Sequence, residues 1–173
     1  MKVRQDHPAA CRMITKVTKA EMDLEPLLDR PGHIRAYGLT IRINDTSARL
    51  VMDTGVSGIS IDEELADKAG VKKLADTTGG IGDEHEGASY IGWADKIRVG
   101  NLEFENCQVD VLKERTIAEH GIIGTNVFRD FLVDIDMPKH KLKLSQLPPY
   151  PDQPKPQQSL ASDSGTNKYT HDR

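Results

Sequence analysis

Leu50-Val51-Met52-Asp53-Thr54-Gly55-Val56-Ser57 is the stretch whose reading decides the fold of this chain. Three apolar residues bring a strand to its end and deliver an aspartate into a tight turn. There Thr54 can tie the backbone down, and Gly55 lets it pass closely. A carboxylate presented in this way suits acid–base chemistry by a pair, because two aspartates sharing one proton let one act as acid while the other acts as base. The chain holds one credible copy of the turn, so the second carboxylate has to come from elsewhere.

Outward from Asp53 the pattern is strand and turn. Upstream, Tyr37, Leu39, Ile41 and Ile43 alternate with Ala36, Gly38, Thr40 and Arg42, which is the period of a half-buried strand. Asn44-Asp45 is a hairpin turn candidate, and Ala48 to Met52 returns as the strand that ends at Asp53. Downstream, Ser60 with Glu63 forms a capping box for a short helix running to Ala69, and Gly70 is placed to end it. Residues 77–87 are Gly-rich and polar. Strand candidates follow at Ser89 to Trp93, Asp95 to Val99 and, after a turn at Gly100-Asn101, Leu102 to Leu112. His120 to Gly124 reads as a short apolar strand, Thr125 to Arg129 as one helical turn, and Phe131 to Ile135 as a strand. Pro138 marks a turn, and Leu142 and Leu144 alternate with lysines in a last strand.

Three segments follow from this pattern: residues 1–31, a polar arm or outer strand with Pro8, Pro26 and Pro31; residues 32–147, a β-rich lobe; and residues 148–173, a Pro-rich polar linker or tail. With 173 residues, 37% of them hydrophobic and 29% charged, the chain suits one ordinary domain with polar ends. The net charge of -4 comes from mixed signs without a basic stripe, which argues against nucleic acid as a partner. No window approaches the roughly 18 apolar residues of a membrane span, and the first twenty residues lack the apolar core of a signal peptide. Localisation stays open, since an exported or periplasmic protein trimmed of its signal would look the same. Cys11 and Cys107 have no metal-binding spacing. They are expected as an incidental and a small buried cysteine respectively, with a disulfide in an oxidising compartment as the alternative.

Residues from about 33 to 147 resemble one lobe of the retropepsin and pepsin superfamily of aspartic peptidases. The resemblance rests on an ordered set: the apolar strand, Asp53-Thr54-Gly55, Ser57, a Gly-rich hairpin, Ile122-Ile123-Gly124, Phe128, and the strand Leu132 to Asp136. It implies an all-β, acid-protease (retropepsin-like) closed β-barrel lobe with one or two short helices. It makes Asp53 the residue that holds the attacking water with its partner, gives Thr54 an interlobe hydrogen bond, places Gly55 beside substrate and makes Ser57 a donor to the Asp53 carboxylate. Val56 stands where the family commonly has alanine. Gly79, Gly80, Ile81 and Gly82 fall in the place of the flap that closes over substrate. Ile122, Ile123 and Gly124 would build the crossover that supports the catalytic turn.

Competing motifs are weaker. Asp83-Glu84-His85-Glu86 matches no metal-binding pattern, and Gly80-Ile81-Gly82 lacks the third glycine and the helix of a dinucleotide loop, so neither a metal nor a cofactor is expected. Asp134 and Asp136 share one side of a strand and read as surface residues. His33, His120 and His140 are given no role. Asp163-Ser164-Gly165 repeats the tripeptide, but no apolar strand precedes it and no apolar-Gly support follows.

The resemblance implies an aspartic endopeptidase lobe acting on extended polypeptide. The second aspartate would come from a homodimer mate or from a second peptidase lobe outside this chain, so an isolated lobe can be inactive. The alternative is a non-catalytic peptide-binding module with the same fold, and Asp53, Thr54, Gly55 and Ser57 argue against it.

Overall fold

The computed structural model describes residues 11–78, 88–112 and 119–147. In chain order the strands are β1 (Arg12–Met13), β2 (Lys19–Asp23), β3 (Glu25–Arg30), β4 (His33–Ile43), β5 (Thr46–Asp53) and β6 (Ile59–Asp62). The helix α1 (Glu63–Lys68) follows, then β7 (Lys72–Thr78), β8 (Ala88–Val99), β9 (Leu102–Leu112), β10 (Gly121–Gly124), β11 (Phe131–Asp136) and β12 (Lys141–Gln146). Short 3₁₀ turns stand at Thr125–Phe128 and Met137–Lys139. The fold is all-β with one short α-helix among the described residues, as the sequence reading expects, and none of its helices is long and apolar enough to cross a membrane.

Alternation fixes the inner face. On β4, Leu39, Ile41 and Ile43 are buried while Thr40 and Arg42 face solvent; on β5, Ala48 and Leu50 point inward. The two strands meet through Asn44-Asp45, with Asn44 at a φ of 48°. The Asn44 side chain pins that turn to its surroundings, donating to the Ala69 carbonyl at 2.7 Å and accepting the Lys96 N–H at 3.1 Å. Pairings run from β9 through β6, β10, β5, β4 and β8 and back to β9, so the main sheet returns on itself around this core. A second sheet, ordered β11-β12-β2, packs Ala20, Met22, Phe131, Leu142 and Leu144 against the same core.

Several details depart from the sequence reading. Ser89 to Val99 is one strand rather than two, because the buried face of β8 switches from Tyr90, Gly92 and Ala94 to Ile97 and Val99 with its register against β9 unchanged. The same switch on β9, from Leu102 and Phe104 to Cys107, Val109 and Val111, occurs at Asn106, whose φ is 55°. The cap of α1 is Asp62, not Ser60: Ser60 lies inside β6, paired with Ile122 and Asp110, and the Asp62 side chain accepts the Leu65 N–H at 2.7 Å. Gly70, at a φ of 64°, follows the end of the helix as expected. Cys11 is not incidental; it is disulfide-bonded to the buried Cys107 and fastens the start of the described chain to β9, beside the β1–β9 pairing. Residues 19–30, read as an arm or outer strand, place β2 in the second sheet and pair β3 with β4.

Candidate active site

Asp53 is the last residue of β5, half-buried, where two ladders end together. On one side the antiparallel pairing with β4 stops at Tyr37 opposite Met52. On the other, β10 runs parallel, with Ile122, Ile123 and Gly124 against Val51, Met52 and Asp53. The three crossover residues predicted from sequence therefore lie directly beside the strand that carries Asp53. Ile122 and Ile123 are buried, as supports in a core should be.

The turn after Asp53 is held by backbone N–H groups that meet two side-chain oxygens and one carbonyl. Asp53 Oδ1 accepts the Gly55 N–H at 2.7 Å, and a Cβ at position 55 would stand 3.3 Å from that same oxygen, so glycine leaves the carboxylate uncrowded. Gly58 turns the chain with a φ of 77°. Its carbonyl accepts the Gly124 N–H at 2.8 Å, and its N–H donates to Asn126 Oδ1 at 2.8 Å. Gly124 sits so close to the backbone of Val56 that any Cβ there would overlap the Val56 carbonyl oxygen. Val56 itself is half-buried.

The remaining sequence candidates fall out as follows. Thr54 and Gly55 are exposed. Ser57 is also exposed, and its hydroxyl makes no hydrogen bond to Asp53 among the described residues. Gly79, Gly80, Ile81 and Gly82, assigned to the flap, lie outside the described residues; the β7–β8 hairpin that would carry them is paired as far as Thr78 opposite Ala88. Asp163-Ser164-Gly165 is outside them too. Asn126 escaped the sequence reading. Its one signal was an amide directly after Gly124-Thr125, at the edge of an apolar run.

Two surface depressions meet at the turn. Ile34, Arg35, Tyr37, Met52 and Met137 surround Asp53 and Thr54 in the first, and Phe128, Phe131 and Val133 line the second. Thr54 and Ile135 belong to both. Behind the site, Arg49 makes two hydrogen bonds to Glu119, at 3.0 and 3.1 Å, and a third to Glu25 at 3.2 Å. Hydrogen bonds from Thr40 and then Arg49 hold the Glu25 carboxyl below its ordinary range. Among the described residues, Asp62, Glu64 and His120 bring one metal-capable atom each to within 4.8 Å of one another. Both Asp62 oxygens are already engaged, one by the Leu65 N–H and the other 3.0 Å from His120 Nδ1, so the cluster works as a helix cap. His120, given no role from sequence, thus ties the entry of β10 to α1. Its carbonyl also accepts the Asp62 N–H at 3.0 Å.

A strand-borne aspartate, a glycine turn and an apolar-Gly crossover on a self-returning β lobe define a retropepsin-like aspartyl protease lobe. The aspartyl protease family model matches residues 39–127, and the chain belongs to that family. Among solved structures, a retropepsin-like aspartic protease from Rickettsia conorii shares 20% identity over 74% of this chain and 92% of its own, with a TM-score of 0.54, which is a likeness of fold. The retroviral protease-like domain of Ddi1 from Leishmania major shares 15% identity over 67% of this chain and 97% of its own, with a TM-score of 0.47. No curated protein sequence matches the chain.

Proposed function

We propose that the chain is an aspartic endopeptidase lobe that hydrolyses extended polypeptide, with Asp53 as one of two carboxylates and a second copy of the chain supplying the other. The observation that carries this reading is the position of Asp53 where the β4–β5 and β5–β10 pairings both stop, beside an exposed Thr54 that lies between two open depressions. One depression offers room for a substrate strand. The other, with Val133 and Ile135 of β11 in its wall, offers a half-apolar face beside the turn for the mate. The returning circuit of strand pairings is read as the closed barrel of such a lobe.

The chemistry asked of the pair is brief. An ionised carboxylate takes a proton from water as the oxygen adds to the peptide carbonyl, and its protonated partner donates to the carbonyl oxygen. The tetrahedral species then collapses, the C–N bond breaks and the amine leaves with a proton. A single Asp53 cannot hold both roles at once, because the two positions need opposite protonation states. Thr54 would bridge to the mate, and the flap residues Gly79 to Gly82 would exclude water once substrate is bound.

Sedimentation at several protein concentrations, run beside cleavage of a denatured protein by wild type and Asp53→Asn, tests the reading. Cleavage that rises with the dimer fraction and vanishes in Asp53→Asn is the expected result. A strict monomer that gains activity only when a separate peptidase lobe is joined to it would assign the second aspartate to that lobe instead. Undiminished cleavage by Asp53→Asn would remove the enzyme assignment, and peptide binding without cleavage in any form would leave a binding module.

A further inference from the structure

Arg35 lies in the same depression as Asp53, and these two are the charged residues among the described ones lining it. The rest of the wall is uncharged and mostly apolar, with Ile34, Tyr37, Met52 and Met137 among its residues. Arg35 has no hydrogen bond or ion pair among the described residues. Arg12, Arg49 and Arg98 find carboxylates among the described residues, whereas Arg30, Arg42 and Arg129 share with Arg35 the lack of one; what sets Arg35 apart is its place in the depression that holds Asp53. An arginine left without a partner beside a cleft that must receive a polypeptide is available to that polypeptide.

The backbone beneath it is fixed. Arg35 and Tyr37 are two residues apart on β4 and so share a face. The Tyr37 hydroxyl donates to the Met137 carbonyl at 3.4 Å, and its ring stands 5.6 Å from that of His140, which docks this end of β4 against the β11–β12 connection. A guanidinium carried there presents a planar fork that can meet a carboxylate with two parallel hydrogen bonds.

We infer that Arg35 is a specificity determinant that receives an acidic side chain, aspartate or glutamate, close to the scissile bond of the substrate. The inference rests on the peptidase reading above. Its sign follows from the charges of the cleft. Asp53 sits in the same depression, so a substrate carboxylate placed there without Arg35 meets like charge in a partly apolar setting, whereas one placed with it is compensated. Removing Arg35 should therefore make acidic side chains unfavourable rather than merely neutral.

The test uses the full chain and fluorogenic peptides built on a cleavage site found in a denatured protein, with Glu, Gln or Lys substituted in turn at each of the three positions on either side. Wild type should prefer Glu over Gln by roughly 3- to 10-fold in kcat/KM at one position, Arg35→Glu should reverse the order in favour of Lys, and Arg35→Lys should keep part of the preference. The same labelled peptides titrated into Asp53→Asn and Asp53→Asn/Arg35→Glu report the preference as binding, without turnover. An unchanged ranking in Arg35→Glu overturns the inference while leaving the peptidase reading standing. Conversion of a wild-type dimer to monomer by Arg35→Glu also overturns it, because the arginine would then serve the mate. Neither cleavage nor peptide binding by any form would remove both readings together.

Discussion

Asn126 and Gly58 stand sixty-eight residues apart in sequence, and the Asn126 amide oxygen accepts the Gly58 N–H at 2.8 Å. Because the Gly58 carbonyl also takes the Gly124 N–H, Gly58 is gripped at its acceptor by the last residue of the crossover and at its donor by Asn126 just beyond it. Asn126→Ala removes one grip. The expected loss is about 1 kcal/mol of stability, the usual net worth of one hydrogen bond, read as a lower urea midpoint. A misplaced carboxylate costs turnover more than affinity, so kcat should fall roughly 10-fold with KM little changed, and Asn126→Asp, which keeps an acceptor, should recover most of it.

Gly124 admits no side chain. A Cβ there would overlap the Val56 carbonyl oxygen and stand 2.8 Å from Asn126 Oδ1, and neither a backbone carbonyl nor the amide that grips Gly58 can withdraw cheaply. Gly124→Ala should cost about 3 kcal/mol or more and abolish cleavage. Thermal melting beside activity checks this, with Gly32→Ala as the comparison: Gly32 has a φ of 76° but open space around it, and it lies in the β3–β4 turn, so a modest loss of stability without loss of cleavage is expected there.

Asp62 joins the helix to the crossover. It is buried, its Oδ1 accepts the Leu65 N–H and its Oδ2 lies 3.0 Å from His120 Nδ1, just before β10 begins. Asp62→Ala should destabilise by about 1–2 kcal/mol, the value of a lost N-cap. Asp62→Asn, which keeps an acceptor for Leu65, should lose less. Ser60→Ala provides the contrast, because Ser60 sits in β6 and caps nothing; chemical denaturation of the three variants would separate the two assignments.

The legible part of this molecule was the part written in local period. Alternation on β4 and β5, the Asn44-Asp45 hairpin and the apolar runs before Asp53 and Gly124 depend on neighbours within a few residues, and these elements formed where their pattern placed them. The cap was misplaced because Ser60 and Asp62 both precede acidic residues at acceptable spacing, and only the pairing of Ser60 with Ile122 and Asp110 decides between them. The switch of buried face on β8 likewise looked like a strand break, since a sequence window cannot tell a bend from an end. Asn126, the Arg49–Glu119 contact and the Cys11–Cys107 bond join residues 68, 70 and 96 positions apart, and no local pattern records such meetings.

The disulfide closes a loop across 96 positions, from a strand-edge start to the middle of β9. Constraint of the unfolded chain by a loop of that length is worth about 4–5 kcal/mol in the entropy model. Reduction, or the double change Cys11→Ser/Cys107→Ser, should therefore shift the urea midpoint markedly downward. Asp53 lies on β5, away from that bond in the sheet order, so the cleavage retained below the new midpoint should keep its wild-type KM. Denaturation with and without a thiol reductant, followed by peptide kinetics in the folded range, checks both halves.

Acid sensitivity should trace in part to Asp136. Lys143 Nζ lies 2.7 Å from its Oδ2 and the Lys139 N–H donates to its Oδ1 at 3.2 Å; the Lys143 hydrogen bond, with help from Lys139, holds the Asp136 carboxyl below its ordinary range. A group whose pKa is lower in the folded than in the unfolded chain adds stability that is complete above the unfolded value, about 3.9 for aspartate, and is lost as pH falls through the folded value. Glu103, held down by Lys96 and Arg98, adds to the same limb. The fold should consequently keep these contributions through the mildly acidic range in which an aspartate pair shares one proton, and shed them only below it. Asp136→Asn removes one titrating group from that balance, so its stability should fall less steeply than wild type as pH drops below about 4 while the two curves run parallel near neutrality. Urea midpoints measured across this range decide the matter, and an unchanged acid limb in Asp136→Asn would show that Lys143 contributes nothing to it.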